Sequence, residues 1–93
     1  MIPEDVIGQP VTIEGVATDV HAGAIVVTAE RDSVFIADLE AWPARVRGMR
    51  VEARGVLRRT KLAPDPFVED GVHVAGLKGT QLVLERAQWR VIR

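Results

Sequence analysis

The chain contains no cysteine. Disulfides, thiolate nucleophiles and cysteine-based zinc sites are excluded, and packing alone has to hold the fold. Serine occurs once, at Ser33, in a stretch that reads as a turn. No serine, histidine and acid set stands in a recognisable context, and there is no glycine-rich phosphate loop. An enzyme is not expected, and neither is a cofactor. Aromatic residues are scarce at 4%: Phe35, Trp42, Phe67 and Trp89. No apolar run approaches the roughly 20 residues that span a bilayer. The stretch Met1-Ile2-Pro3-Glu4-Asp5 is acidic and lacks the basic segment and apolar core of a signal peptide. The expected location is the cytoplasm, without membrane contact.

What remains is a chain of 93 residues, 47% apolar and 27% charged, which suits one soluble domain with a single modest core. Plentiful valine and isoleucine and a net charge of −1 argue against disorder. That small charge hides an asymmetry. Residues 1–44 carry eight acids and one base, a net −7; residues 45–93 carry eleven bases and five acids, a net +6. Opposite halves either pair internally or display an acidic and a basic patch.

The hydrophobic pattern has the period of strands. After a lead-in over residues 1–9, Pro10 opens a first strand reaching Val20, with Val11, Ile13, Gly15 and Ala17 on one face. His21-Ala22-Gly23 reads as a hairpin connection. Residues 24–29 form a β-branched second strand and residues 34–37 a third. Residues 38–48 break the pattern. Leu39, Trp42 and Val46 share a helical spacing, so a short helix is expected there, with Trp42 plugging an open end of the core. Gly48 to Lys61 then forms a long fourth strand. Met49, Val51, Ala53, Gly55 and Leu57 face inward, and Arg50, Glu52, Arg54, Val56 and Arg58 face outward. Glycines in mid-strand, Gly15 and Gly55, mark bends or bulges. Residues 60–79 read as a long loop, with Pro64-Asp65-Pro66, a turn at Asp70-Gly71 and a weak strand over Val72-His73-Val74. A last strand runs from Gln81 to Ile92. Leu82 and Leu84 have one parity and Ala87, Trp89 and Val91 the other, which places a bulge near Glu85-Arg86.

Three meandering strands, a short helix, a fourth strand, a long loop and a fifth strand resemble the OB-fold, a five-stranded Greek-key barrel. The likeness runs from Val11 to Ile92 and covers the chain as a single all-β domain. Its markers are Val11-Thr12-Ile13-Glu14-Gly15-Val16-Ala17 and Arg50-Val51-Glu52-Ala53-Arg54-Gly55-Val56-Leu57. The Gly-x-Arg-Val-x-x-x-Gly-x-Leu pattern over Gly48 to Leu57, together with Pro64-Asp65-Pro66, also resembles small bacterial OB-like proteins. That likeness brings no known activity with it. The OB-fold resemblance implies a ligand surface across strands two and three, bordered by the long loop; here that is Ala24, Val26, Thr28, Phe35, Ala37 and His21.

Two kinds of partner follow. Single-stranded nucleic acid would use a basic groove and stacking rings. Arg50, Arg54, Arg58, Arg59 and Lys61 would supply charge, with Phe35 and Phe67 as platforms. The sequence pI of about 6.1 and the acids of the first three strands oppose it. A protein partner or self-association would use the outward apolar set around Val26 and Phe35. A non-catalytic module for protein interaction or assembly is the favoured expectation, with nucleic-acid binding as the alternative. Metal binding is not expected, because His21 with Asp19, and His73 with Asp70 and Glu69, lack a ligand spacing.

Overall fold

The computed structural model describes residues 2, 4–60, 67–69, 72–74 and 81–92. The strands are β1 (Pro10–Val20), β2 (Gly23–Val27), β3 (Ser33–Ile36), β4 (Arg50–Thr60), β5 (Phe67–Glu69), β6 (Val72–Val74) and β7 (Gln81–Val91). Five of them close into a ring in the order β1-β2-β3-β7-β4, with β4 pairing back onto β1. The sheet is mixed: β3 and β7 run parallel, and every other neighbouring pair in the ring is antiparallel. The five strands lie within two residues of where the alternation puts them.

The interior is filled by one side of each strand. Ala17 from β1, Ala24 and Val26 from β2, Val34 and Ile36 from β3, Val51, Ala53 and Leu57 from β4 and Leu84 from β7 form a single cluster with Trp42 and Val46. Each fully buried valine or leucine contributes about 1.5–3 kcal/mol. The lead-in docks on this core. Its 3₁₀ turn at Glu4–Val6 is followed by Gly8, whose N–H donates to the Leu57 carbonyl at 2.6 Å, and Ile2, Val6 and Ile7 pack against the cluster.

Both mid-strand glycines are explained by close backbone approach. β1 pairs with β4 over residues 10–16 and with β2 over residues 16–20, so it changes partner beside Gly15. At Gly55 the register between β4 and β7 shifts by one residue: Arg54 faces Gln88 and Val56 faces Glu85. Arg86 and Ala87 together stand opposite Gly55, which is the bulge expected from the change of parity. A Cβ on Gly55 would lie 2.5 Å from the Glu85 carbonyl oxygen and 2.9 Å from Leu84 Cγ. Gly55→Val should therefore lower stability by about 2 kcal/mol, while Arg54→Ala on the exposed side should cost less than about 0.5 kcal/mol. Urea melts of the two variants check this; equal midpoints would refute it.

Several expectations need correction. Residues 38–48 are a run of turns, not a helix. Asp38 has φ of +63° and does not sit in a helix-capping conformation. Pro43 has no N–H to give, and the amides around it find partners outside a helical ladder. Trp42 N–H donates to Asp19 Oδ1 at 2.8 Å and Gly48 N–H to the Ala17 carbonyl at 2.8 Å. Only the single turn after Pro43, with Val46 and Arg47 N–H on its carbonyl, resembles helix. Trp42 does close the core, at 2% exposure, with Nε1–H donating to the Ile25 carbonyl at 2.8 Å. Met49 does not face inward with Val51; it is 44% exposed beside the opening of β4. Val26 does not face outward; it is fully buried in the core cluster. The stretch expected to be an irregular loop contains a two-stranded antiparallel sheet, in which Val72–Val74 pairs with Phe67–Glu69. Pro64-Asp65-Pro66 and Asp70-Gly71 lie outside the described residues.

Candidate functional site

Two outer faces of the ring carry the candidate residues. The first spans β1, β2, β3 and β7. In the register Thr18, Ile25, Phe35 and Val83 form one row across these four strands, on the side opposite the core. Ile25, Phe35 and Val83 make a second cluster, each 4–6% exposed, with Val27 and Ala37 packed against it. The next row begins with Val16 opposite Val27. Here the apolar surface opens to solvent: Val16 is 43% exposed and Val20, at the end of the same strand, 41%. A depression of about 390 Å³ on this side is lined by Gly23, Phe35, Ala37, Leu39 and Val83, with Asp38 and Glu40 among its lining residues.

This is the face that the fold resemblance singled out, built from different residues. On β2 the outward side belongs to Ile25 and Val27, and Val26 points into the core. Residues 24–27 are apolar without interruption, so their period carries no parity. The signal for the correct face lay in Phe35, which does point outward. At 6% exposure it is packed over and offers no bare ring for a base to stack on.

The second face is formed by β1, β4 and β7. Arg50, Arg54 and Arg58 line up on its outer side as the alternation requires. They do not form a free basic stripe. Arg50 stands 3.6 Å from Glu14, Arg58 Nε donates to Glu85 Oε1 at 3.0 Å, and Arg90 Nε meets Glu52 Oε1 at 3.2 Å. Each such exposed pair stabilises by about 0–1 kcal/mol, but each also neutralises a cation locally. Arg59 has the opposite parity, at the end of β4. Lys61 lies outside the described residues, and Phe67 is described only as part of β5.

Arg54 is different. Its Nη2 donates to Gln88 Oε1 at 3.2 Å, a neutral partner. Arg86, in the bulge, is exposed and has φ of +54°, and among the described residues no acid pairs with it. The two arginines line one shallow depression of about 400 Å³ with Pro10, Val11, Thr12, Gly55, Val56 and Gln88. Sequence reasoning did not select Arg86, Gln88, Val16 or Val20. The parity change that located the bulge was the available signal for Arg86, because a bulge re-aims the side chain it carries.

The acidic half of the chain also finds partners. Asp19, weighed as a ligand beside His21, instead holds the Trp42 amide and pairs with Arg47 Nε at 2.7 Å. Among the described residues no three histidines or acids stand close enough together to hold a metal ion. Comparison with family models, with curated proteins and with solved structures finds no match for this chain.

Proposed function

We propose that this chain is a non-catalytic binding module with an OB-like barrel, and that its ligand is a protein partner docked on the outer face of β1. The observation that carries the reading is the exposed pair Val16 and Val20 on that face, with Val16 opposite Val27, which packs against the buried outer row Ile25, Phe35 and Val83. Covering such a surface removes apolar area from water, at about 25 cal/mol per Å². Phosphates gain nothing from valine. The neighbouring cations Arg50, Arg58 and Arg90 are already matched by Glu14, Glu85 and Glu52, which interrupts the continuous positive track that a nucleic-acid backbone needs.

The test is site-specific photo-crosslinking from position 16 in the native cell. A discrete protein adduct is expected. Once purified, that protein should bind the chain and lose affinity when Val16 or Val20 is replaced by aspartate. No adduct, or adducts to nucleic acid alone, would overturn the proposal.

A further inference from the structure

The docking reading leaves one feature unused: an arginine in a backbone conformation that suits glycine. Arg86 sits in the left-handed region, at φ of +54°, where a side chain other than glycine or asparagine is disfavoured. A glycine there would form the same bulge with less strain. The arginine instead lines, together with Arg54, the depression beside the bulge. Strain of this kind is retained where the surrounding structure enforces it, often at binding sites.

The setting of these two cations is unlike that of their neighbours. Along the same face Arg50, Arg58 and Arg90 each meet a carboxylate. Among the described residues Arg54 meets only the neutral Gln88, and Arg86 meets no acid. The same depression is lined by the apolar Pro10, Val11 and Val56 and by Thr12. Guanidinium groups bind carboxylates through paired, charge-assisted hydrogen bonds. Two of them beside apolar lining residues fit a short segment that alternates acidic and apolar side chains. The charge is local, two groups and not a track, so it matches a peptide better than a polyanion.

The depression shares β1 and β4 with the docking face, separated from it by the pair Glu14 and Glu52. On the outside of β1, Thr12 and Val16 are four residues apart, roughly 13 Å at strand spacing, and β4 runs beside them with Arg54 opposite Thr12 and Arg50 opposite Val16. One extended segment can touch both. We infer that the Arg54–Arg86 depression is the seat for a carboxylate of the partner's docking segment. This rests on the protein-docking reading and specifies the partner as acidic and apolar.

The experiment measures fluorescence anisotropy of a labelled peptide of alternating aspartate and leucine, with its asparagine–leucine counterpart as control. The full chain is compared with its Arg54→Gln, Arg86→Gly, Arg45→Gln and Val16→Asp variants. Wild type should bind the aspartate peptide and not the asparagine one. Arg54→Gln and Arg86→Gly should each weaken binding by about tenfold or more, and Arg45→Gln, which removes the same charge elsewhere, should not. Arg86→Gly should keep or raise the melting temperature, so that lost binding is not lost folding. Wild-type affinity in both arginine variants would overturn the inference, as would no binding of the peptide to wild type. Tighter binding of a labelled single-stranded oligonucleotide, or of inorganic phosphate, would also overturn it. If Val16→Asp abolishes binding while the arginine variants do not, the docking face stands and the carboxylate seat falls. If none of these substitutions matters, both fall.

Discussion

Gly15→Ala is expected to destabilise the protein by about 3 kcal/mol or more, a large loss for the addition of one methyl group. A methyl group built on Gly15 collides with the Val27 carbonyl group and lies 2.8 Å from Val26 Cγ1. The obstructing atoms are mostly main chain, so no rotamer change relieves the clash. The end of β2 has to move, and β2 is held on both sides, by β1 at Val16–Val20 and by β3 at Ser33–Phe35. Moving it also disturbs Ile25, whose carbonyl accepts the Trp42 Nε1–H. Denaturant melts read by tryptophan fluorescence measure the loss directly. A Gly15→Ala midpoint within error of wild type would show that β1 does not need to cross so close to β2.

Trp42→Ala is the second large effect, at about 4 kcal/mol. Trp42 is 2% exposed and stacks edge-on against Trp89, with ring centroids 5.0 Å apart and planes at 82°. It is one of the largest fully buried side chains. Removing it leaves a cavity beside Trp89 of β7 and loses the hydrogen bond to the Ile25 carbonyl. Trp42→Phe separates the two contributions. The ring is largely kept, and the lost indole hydrogen bond should cost about 0.5–1.5 kcal/mol. Urea melts of both variants, with the Trp89 emission as probe, should give losses in that order. If phenylalanine proves as damaging as alanine, the hydrogen bond outweighs the packing and the assignment of roles is reversed.

These sites also show what the residues alone could reveal. Strands β1, β4 and β7 were legible because one side of each meets the core and the other meets water, which imposes period two. Gly55 and the parity change around Glu85 and Arg86 mark the bulge in the residues themselves. The face of Val26 was illegible because residues 24–27 are apolar on both sides of β2, one side covered by the core and the other by the outer row. The helix expected over residues 38–48 failed for a related reason. The spacing of Leu39, Trp42 and Val46 reports that all three pack against one core, and a chain of turns meets that need as well as a helix does. Its amides are claimed by Asp19 and Ala17, residues far away in sequence, and no local rule anticipates them. At the candidate site, the outward arginines of β4 were legible. Their pairing with Glu14 and Glu85 was not, since cross-strand neighbours follow only from the register.

The parallel pairing of β3 with β7 has a kinetic consequence. Val34 pairs with Leu82, 48 residues further along the chain. The hairpins β1–β2 and β2–β3 need only short connections and can form within microseconds. The ring cannot close until β7 arrives, because β7 alone joins β3 to β4. Until then both of those strands present unpaired edges, the kind of surface that recruits other chains. Closing so long a loop delays the reward for the contacts it makes, and topologies dominated by such contacts fold in milliseconds to seconds. On a ribosome, the first two-thirds of the chain waits with its edges open, and the last strand ends the interval in which it can aggregate.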